Sequence, residues 1–226
     1  MNVVDDAKSL GASMVQFIGG EPTMHPQFPA ILRHAVHTGI EVEVYTNLVH
    51  VTDEVWELLT APKVSLAFSY YSKDAMQHNA VTMRNSHSAT RRNAAKAVSL
   101  RIPIRAGVID TGAGQVDGAK EDLRTLGITK IGVDRIRAVG RGGGNDVSEL
   151  CGRCGQGVAA VSPDGKVWPC VLAVDAGWQC ADQLARRNHG RSRDGRCRRV
   201  DPSTSPWGPT LTSRRAHRTC PPLWTP

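Results

Sequence analysis

Val15-Gln16-Phe17-Ile18-Gly19-Gly20-Glu21-Pro22-Thr23-Met24 is the stretch from which the fold can be read. Val15 to Ile18 is a short apolar run with the length and composition of a buried strand. Gly19 and Gly20 follow at once, and two glycines let the backbone turn sharply while a ligand approaches main-chain groups closely. Glu21 brings a carboxylate to the same rim. Pro22 fixes its own φ and biases Glu21 towards an extended conformation. A helix start near Pro26 then points its open N–H groups back at the turn. A polar edge is therefore expected at the carboxyl end of a buried strand. On these four residues alone, a plain strand-to-helix turn explains the pattern as well as a binding edge does.

Outward from this stretch, residues 1–139 alternate between strand and helix patterns. Val3 to Leu10 reads as the end of a helix closed by Gly11. Roughly 26–38 is a helix with Phe28, Ile31, Leu32 and Ala35 on one face, stopped by Gly39. Glu41 to Thr46 alternates Val42 and Val44 with charged neighbours and ends at Thr46-Asn47. Thr52 to Leu59 is a short helix with Asp53 and Glu54 in its first turn, favourable for the helix dipole. Val64 to Ser69 is a third strand, and residues 70–85 read as a polar, irregular loop. Ser88 to Leu100 is a helix, Ile104 to Ile109 a strand, Val116 to Leu126 a helix ended by Gly127, and Lys130 to Val133 a strand. Such strands joined by crossover helices must pair in parallel. The fold class expected is α/β, a partial (β/α) barrel. A doubly wound sheet is the alternative, and no Gly-rich dinucleotide fingerprint supports it.

The carboxyl edge of a barrel sheet is where function collects. Here that edge reads Gly19-Gly20-Glu21-Pro22, Thr46-Asn47, Ser69-Tyr70-Tyr71-Ser72, Gly107 to Thr111, and Arg135 to Arg141. Loops are polar in any protein, so the weight lies in the set rather than in any one member. Gly19-Gly20-Glu21-Pro22 after an apolar strand resembles the GGEP motif of the radical S-adenosylmethionine (radical SAM) enzymes. In that family the motif's backbone and Glu hold the amino group of the SAM methionine. Val44-Tyr45-Thr46-Asn47 resembles the family's third strand. Ser69 stands where the family has the Ser of its fourth strand, near the SAM carboxylate and ribose, and His78-Asn79-Ala80-Val81-Thr82 resembles the loop after it. Ile102 to Ile109 is similar to the fifth strand. Ile131 to Gly142, with Arg137, resembles the sixth strand and exit loop of the peptide-modifying branch. The resemblance runs from about residue 3 to 173 and implies SAM binding by Gly19, Gly20, Glu21, Pro22, Thr46, Asn47, Ser69 and Arg137.

Cysteine forms a second constellation. All six cysteines lie at or beyond position 151, which excludes a disulfide-stapled body. Cys151-Gly152-Arg153-Cys154 is a C-x2-C pair, and Cys170 follows after fifteen residues, at the end of Val161-Ser162-Pro163-Asp164-Gly165-Lys166-Val167-Trp168-Pro169-Cys170. A two-residue gap lets both thiolates face one metal, and an Asp164-Gly165 hairpin would return Cys170 towards them. By spacing, zinc and an iron–sulfur cluster are equal alternatives, and a reduced cysteine group without metal is a third. The segment resembles the start of the SPASM/twitch-type auxiliary-cluster extension that follows radical SAM barrels, which implies iron–sulfur, with zinc as the alternative. The family's first strand also carries C-x3-C-x2-C, whose thiolates hold the 4Fe–4S cluster that reduces SAM. Residues 1–226 do not contain it, so the expectation is a fragment that cannot cleave SAM by itself.

The division expected is a partial barrel over 1–142, a cysteine-rich extension over 143–173, and a disordered or out-of-frame tail over 174–226. The formal net charge is +7, but its distribution argues against a nucleic-acid partner for the body. Residues 1–173 hold 18 Lys+Arg against 17 Asp+Glu, whereas 174–226 hold ten Arg, no Lys and four Asp. That tail has six Pro and no helical or strand period, and too few apolar side chains to offset chain entropy. An arginine-rich RNA-binding tail is the functional competitor. No run of 18 apolar residues and no signal pattern occurs, so a cytoplasmic protein without a membrane partner is expected. The family resemblance implies a peptide or small-protein substrate. The competing classes are a non-catalytic β/α module that binds a peptide or nucleotide, and a zinc-stabilised scaffold.

Overall fold

The computed structural model describes residues 3–136, 139–140, 144–145 and 157–172. Arg137, Cys151, Cys154 and the tail 174–226 lie outside the described residues. The chain divides into two units, Met1–Ile136 and Arg137–Thr225. The first is a parallel sheet, β1 (Met14–Phe17), β2 (Glu41–Tyr45), β3 (Val64–Tyr70), β4 (Ile104–Asp110) and β5 (Lys130–Arg135), in the order β1-β2-β3-β4-β5. Every neighbouring pair is parallel. A sequential order means that each crossover steps the same way, which places the helices on one face and distinguishes a partial barrel from a doubly wound sheet.

Helices α1 (Val3–Ser9), α2 (Phe28–Thr38), α3 (Asp53–Leu59), α4 (Ala75–Thr82), α5 (His87–Ser99) and α6 (Val116–Thr125) complete the unit. Their local signals are chemical. The Thr52 hydroxyl accepts the Val55 N–H at 3.3 Å at the start of α3. Gly39 ends α2 in the left-handed region at φ +72°. The core forms where Val42, Val44, Leu66, Phe68, Ala106 and Val108 of the strands meet Leu32, Ala35, Trp56, Leu59, Ala94, Ala97, Ala119 and Leu123 of the helices. These side chains alternate along each strand, and the intervening ones point to the opposite face.

Residues 70–85 are not the irregular loop expected: they contain α4. Asp74 caps this helix by accepting the Gln77 N–H at 2.9 Å, and Asn79 Oδ1 accepts the N–H groups of Ser86 and His87 at 3.0 and 3.1 Å to start α5. The sequence hides the helix because its buried contact is His78 rather than an apolar stripe. The His78 ring packs on Tyr70, Tyr71 and His87 at centroid distances of 5.3, 5.4 and 5.2 Å. Beside it, Tyr70 donates to Asp122 Oδ2 at 2.5 Å, and its hydroxyl lies 3.0 Å from His87 Nε2. Arg91 grips Asp122 with two hydrogen bonds of 2.8 and 2.7 Å. Burial and the Asp122 hydrogen bond push the Tyr70 pKa well above its ordinary value, so it stays a donor.

In the second unit the described segments are two short hairpins. Val139–Gly140 (β6) pairs with Gly144–Asn145 (β7), and Ala160–Val161 (β8) with Val167–Trp168 (β9), both antiparallel. The hairpin expected around Asp164-Gly165 is present, with Gly165 at φ +80° and its N–H donating to Ser162 O at 2.8 Å. The Trp168 indole donates to Ser162 Oγ at 3.1 Å across the turn. Among the described residues, no helix is long and apolar enough to cross a membrane.

His78 supplies a test of this packing. Burial, reinforced by His87 nearby, lowers its pKa to about 4, and its Nδ1 has no hydrogen-bond partner among the described residues. Between pH 6.5 and 4 the unfolded chain therefore binds the proton that the folded chain refuses. Stability should be unaffected by this group above pH 6.5, decline as pH falls to 4, and level off below, a loss of about 3 kcal/mol at most. Urea unfolding of wild type and His78→Phe across this range should show the decline reduced in the variant; parallel curves would mean that His78 titrates normally.

Candidate functional site

Gly19 to Pro22 leave the carboxyl end of β1, Thr46 and Asn47 leave that of β2, and Ser69 is the penultimate residue of β3. Because the three strands are adjacent and parallel, these seven positions lie along one edge of the sheet. Gly19 has φ +140°, and a Cβ built there would meet nothing within 4 Å. The turn is open on that side, so a ligand can reach its backbone. Pro22 begins a single 3-10 turn, Pro22–Met24, and Glu21 precedes it in extended conformation.

The Glu21 carboxylate joins the first two strand ends. Oε1 accepts the Thr46 hydroxyl at 2.6 Å, the Thr23 hydroxyl at 2.8 Å and the Thr23 N–H at 3.2 Å. Oε2 accepts the Asn47 N–H at 2.6 Å. The loop it reaches is held from behind: Thr90 donates to Asn47 O at 2.9 Å and Asn93 to Leu48 O at 2.7 Å, both from α5. Leu48 is fully buried at φ +57°, and its N–H donates to Thr46 Oγ1 at 3.1 Å. Glu21 and Thr46 thus come together as a bonded pair, with Asn47 on the second oxygen.

Ser69 is tied to β2 by a different residue. Its hydroxyl lies 3.0 Å from the Tyr45 hydroxyl, on the sheet face away from the helices. That face carries a polar network the sequence analysis did not single out. Arg105 donates twice to Glu43 at 2.7 Å each, and Gln16 donates to the same carboxylate. The Arg105 guanidinium stands 5.9 Å from the Tyr45 ring centroid. A signal was available: central strands of parallel sheets are usually apolar on both faces, yet β2 and β4 carry Glu43 and Arg105 at inward positions. Of the cysteines, Cys170 is described; it is half-buried and follows β9 by two residues. Among the described residues, no group of three or more His, Cys, Asp or Glu is placed to hold a metal ion.

Glu21→Gln should weaken the clamp between the strand ends, since hydrogen bonds to a charged acceptor contribute about 1.5–3 kcal/mol and this one is partly exposed. An expected destabilisation of about 1 kcal/mol in urea unfolding, larger for Glu21→Ala, checks the assignment; equal stability of all three proteins would contradict it.

No protein-family model and no curated protein matches the sequence. Solved structures do match. SuiB of Streptococcus suis bound to S-adenosylmethionine aligns with a TM-score of 0.53 at 16% identity, over 59% of this chain and 32% of SuiB. The enzyme anSMEcpe with bound AdoMet and the Kp18Cys peptide aligns with a TM-score of 0.60 at 13% identity, over 82% of this chain and 69% of that one. The chain thus spans about a third of the length of SuiB. Identities this low report architecture, and the architecture is unambiguous in order and direction of strands. The chain has the α/β fold of the radical SAM enzymes, in the form of a partial (β/α) barrel.

Proposed function

We propose that this chain is the SAM-binding barrel portion of a radical SAM protein that modifies a peptide or small protein, followed by a SPASM/twitch-type auxiliary-cluster segment. The observation that carries the reading is the Glu21 clamp. It fixes a Gly-Gly turn with an open backbone next to Thr46-Asn47, at the edge where ligands bind in such sheets. SAM fits this edge chemically. Its ammonium group suits the carboxylate of Glu21 and backbone carbonyls of the turn, and its carboxylate suits hydroxyl and N–H donors such as Ser69, with Gly19, Gly20 and Pro22 shaping the turn. Arg137, which lies outside the described residues, is proposed for the same ligand from the sequence resemblance alone.

When bound and reduced by a cluster, SAM supplies the radical that abstracts hydrogen from a substrate. The residues of this chain bind and orient it. The peptide class is supported by the neighbours, which include SuiB bound to the precursor peptide SuiA and anSMEcpe with peptides. Cys151, Cys154 and Cys170 are proposed as ligands of an auxiliary iron–sulfur cluster, with zinc as the alternative metal. The three-cysteine motif that would hold the SAM-reducing cluster does not occur in residues 1–226.

Two measurements test this. Equilibrium dialysis should show SAM binding that Gly19→Val abolishes, because φ +140° excludes a branched side chain; unchanged binding in the variant would move the site elsewhere. Anaerobic incubation with iron, sulfide, reductant and SAM should give a brown species lost in Cys154→Ala, and no 5′-deoxyadenosine above a no-protein control. Stoichiometric colourless zinc would favour a scaffold, and 5′-deoxyadenosine production would overturn the assignment of the missing cluster site.

A further inference from the structure

Tyr45 is a residue of the edge to which the sequence resemblance assigns no role. It lies in the last position of β2 and pairs in register with Ala67, while Ser69 pairs with Gly107. These positions share the face away from the helices. The phenol therefore crosses one row of the sheet to reach Ser69, and two small residues leave it the space. A Cβ at Gly107 would have the Tyr45 hydroxyl as its nearest neighbour, at 3.6 Å. From the other side the ring is held by Arg105, itself fixed by two hydrogen bonds to the buried Glu43, which also accepts from Gln16.

Either hydroxyl can donate across the 3.0 Å Tyr45–Ser69 contact; a phenol is a stronger donor than an aliphatic alcohol, and Tyr45 is assigned the donor role on that ground. With Tyr45 donating, Ser69 Oγ has accepted a hydrogen bond and its own proton is directed elsewhere. We infer that Tyr45 is a positioning residue that fixes the Ser69 hydroxyl as a donor towards an anionic oxygen of the bound ligand, the methionyl carboxylate of SAM. The inference rests on the edge being the SAM site and on Ser69 meeting the SAM carboxylate as proposed above; what it adds is the role of Tyr45 behind that hydroxyl. Gln16, Glu43 and Arg105 form the support that keeps the phenol in place. The bonded chain is then Tyr45 O–H to Ser69 Oγ, and Ser69 O–H to carboxylate, in which the first bond polarises the second.

The test compares two non-reactive ligands on the full 226-residue chain. S-adenosylhomocysteine keeps the amino-acid carboxylate, and 5′-methylthioadenosine lacks it. Calorimetric titration of Tyr45→Phe should show S-adenosylhomocysteine bound about threefold to tenfold more weakly, the range for one lost hydrogen bond, with 5′-methylthioadenosine unchanged. Ser69→Ala should reproduce that selectivity, and the double variant should lose no more than either alone. If Tyr45→Phe fails to fold by circular dichroism, Ser69→Thr against Ser69→Ala tests the same donor, since threonine keeps the hydroxyl and should retain binding. Equal weakening of both ligands in Tyr45→Phe would make Tyr45 merely structural and overturn the inference. Wild-type binding by Tyr45→Phe, with Ser69→Ala weakened, would overturn it while leaving the SAM site standing. Failure of the wild-type chain to bind either ligand would remove the SAM reading and the inference together.

Discussion

A parallel strand can reach its neighbour only through a crossover, and here every crossover steps in the same direction. Most of what is particular about the molecule follows from that constraint. The helices must cover one face, so half of each strand's side chains build the core. The other half face the interior of an incomplete barrel, where a polar network replaces apolar packing. The same constraint gathers all five carboxyl ends at one edge, which gives residues far apart in the chain a common rim.

The two faces hold the rim by different means. On the helix side, α5 holds the Thr46 to Val49 loop through Thr90 and Asn93, and Tyr70, His87, Arg91 and Asp122 lock α5 and α6 to β3. On the inner side, Gln16, Glu43 and Arg105 support Tyr45, which in turn fixes Ser69. Glu21 closes the arrangement by bonding two strand ends to each other. Preorganisation of this kind lowers the cost of ordering a site when a ligand arrives.

The strands and most helices were legible because their signals are local. Gly39 and Gly127 end helices, Thr52 caps one, and the Val-rich runs mark strands. The helix α4 was not legible, because a histidine fills its buried position and a period built on apolar residues cannot register it. The rim was legible as a set of positions, since Gly19-Gly20-Glu21-Pro22, Thr46-Asn47 and Ser69 each follow or finish a strand. The bonds that tie the rim together were not. Glu21 to Thr46 spans 25 residues and Glu43 to Arg105 spans 62, and pairings at that range depend on sheet register. Tyr45 looked like one more residue in an alternating strand until the register placed it beside Ser69.

The central claim is that SAM sits on the carboxyl edge of β1, β2 and β3. Hydrogen–deuterium exchange of the intact chain with and without saturating SAM measures this most directly. Slower exchange confined to segments containing Gly19 to Met24, Thr46 to Val49 and Ser69 to Ser72 is the predicted result. Protection at the opposite edge, in Thr60 to Lys63 and Leu100 to Pro103, or no protection anywhere, would contradict it.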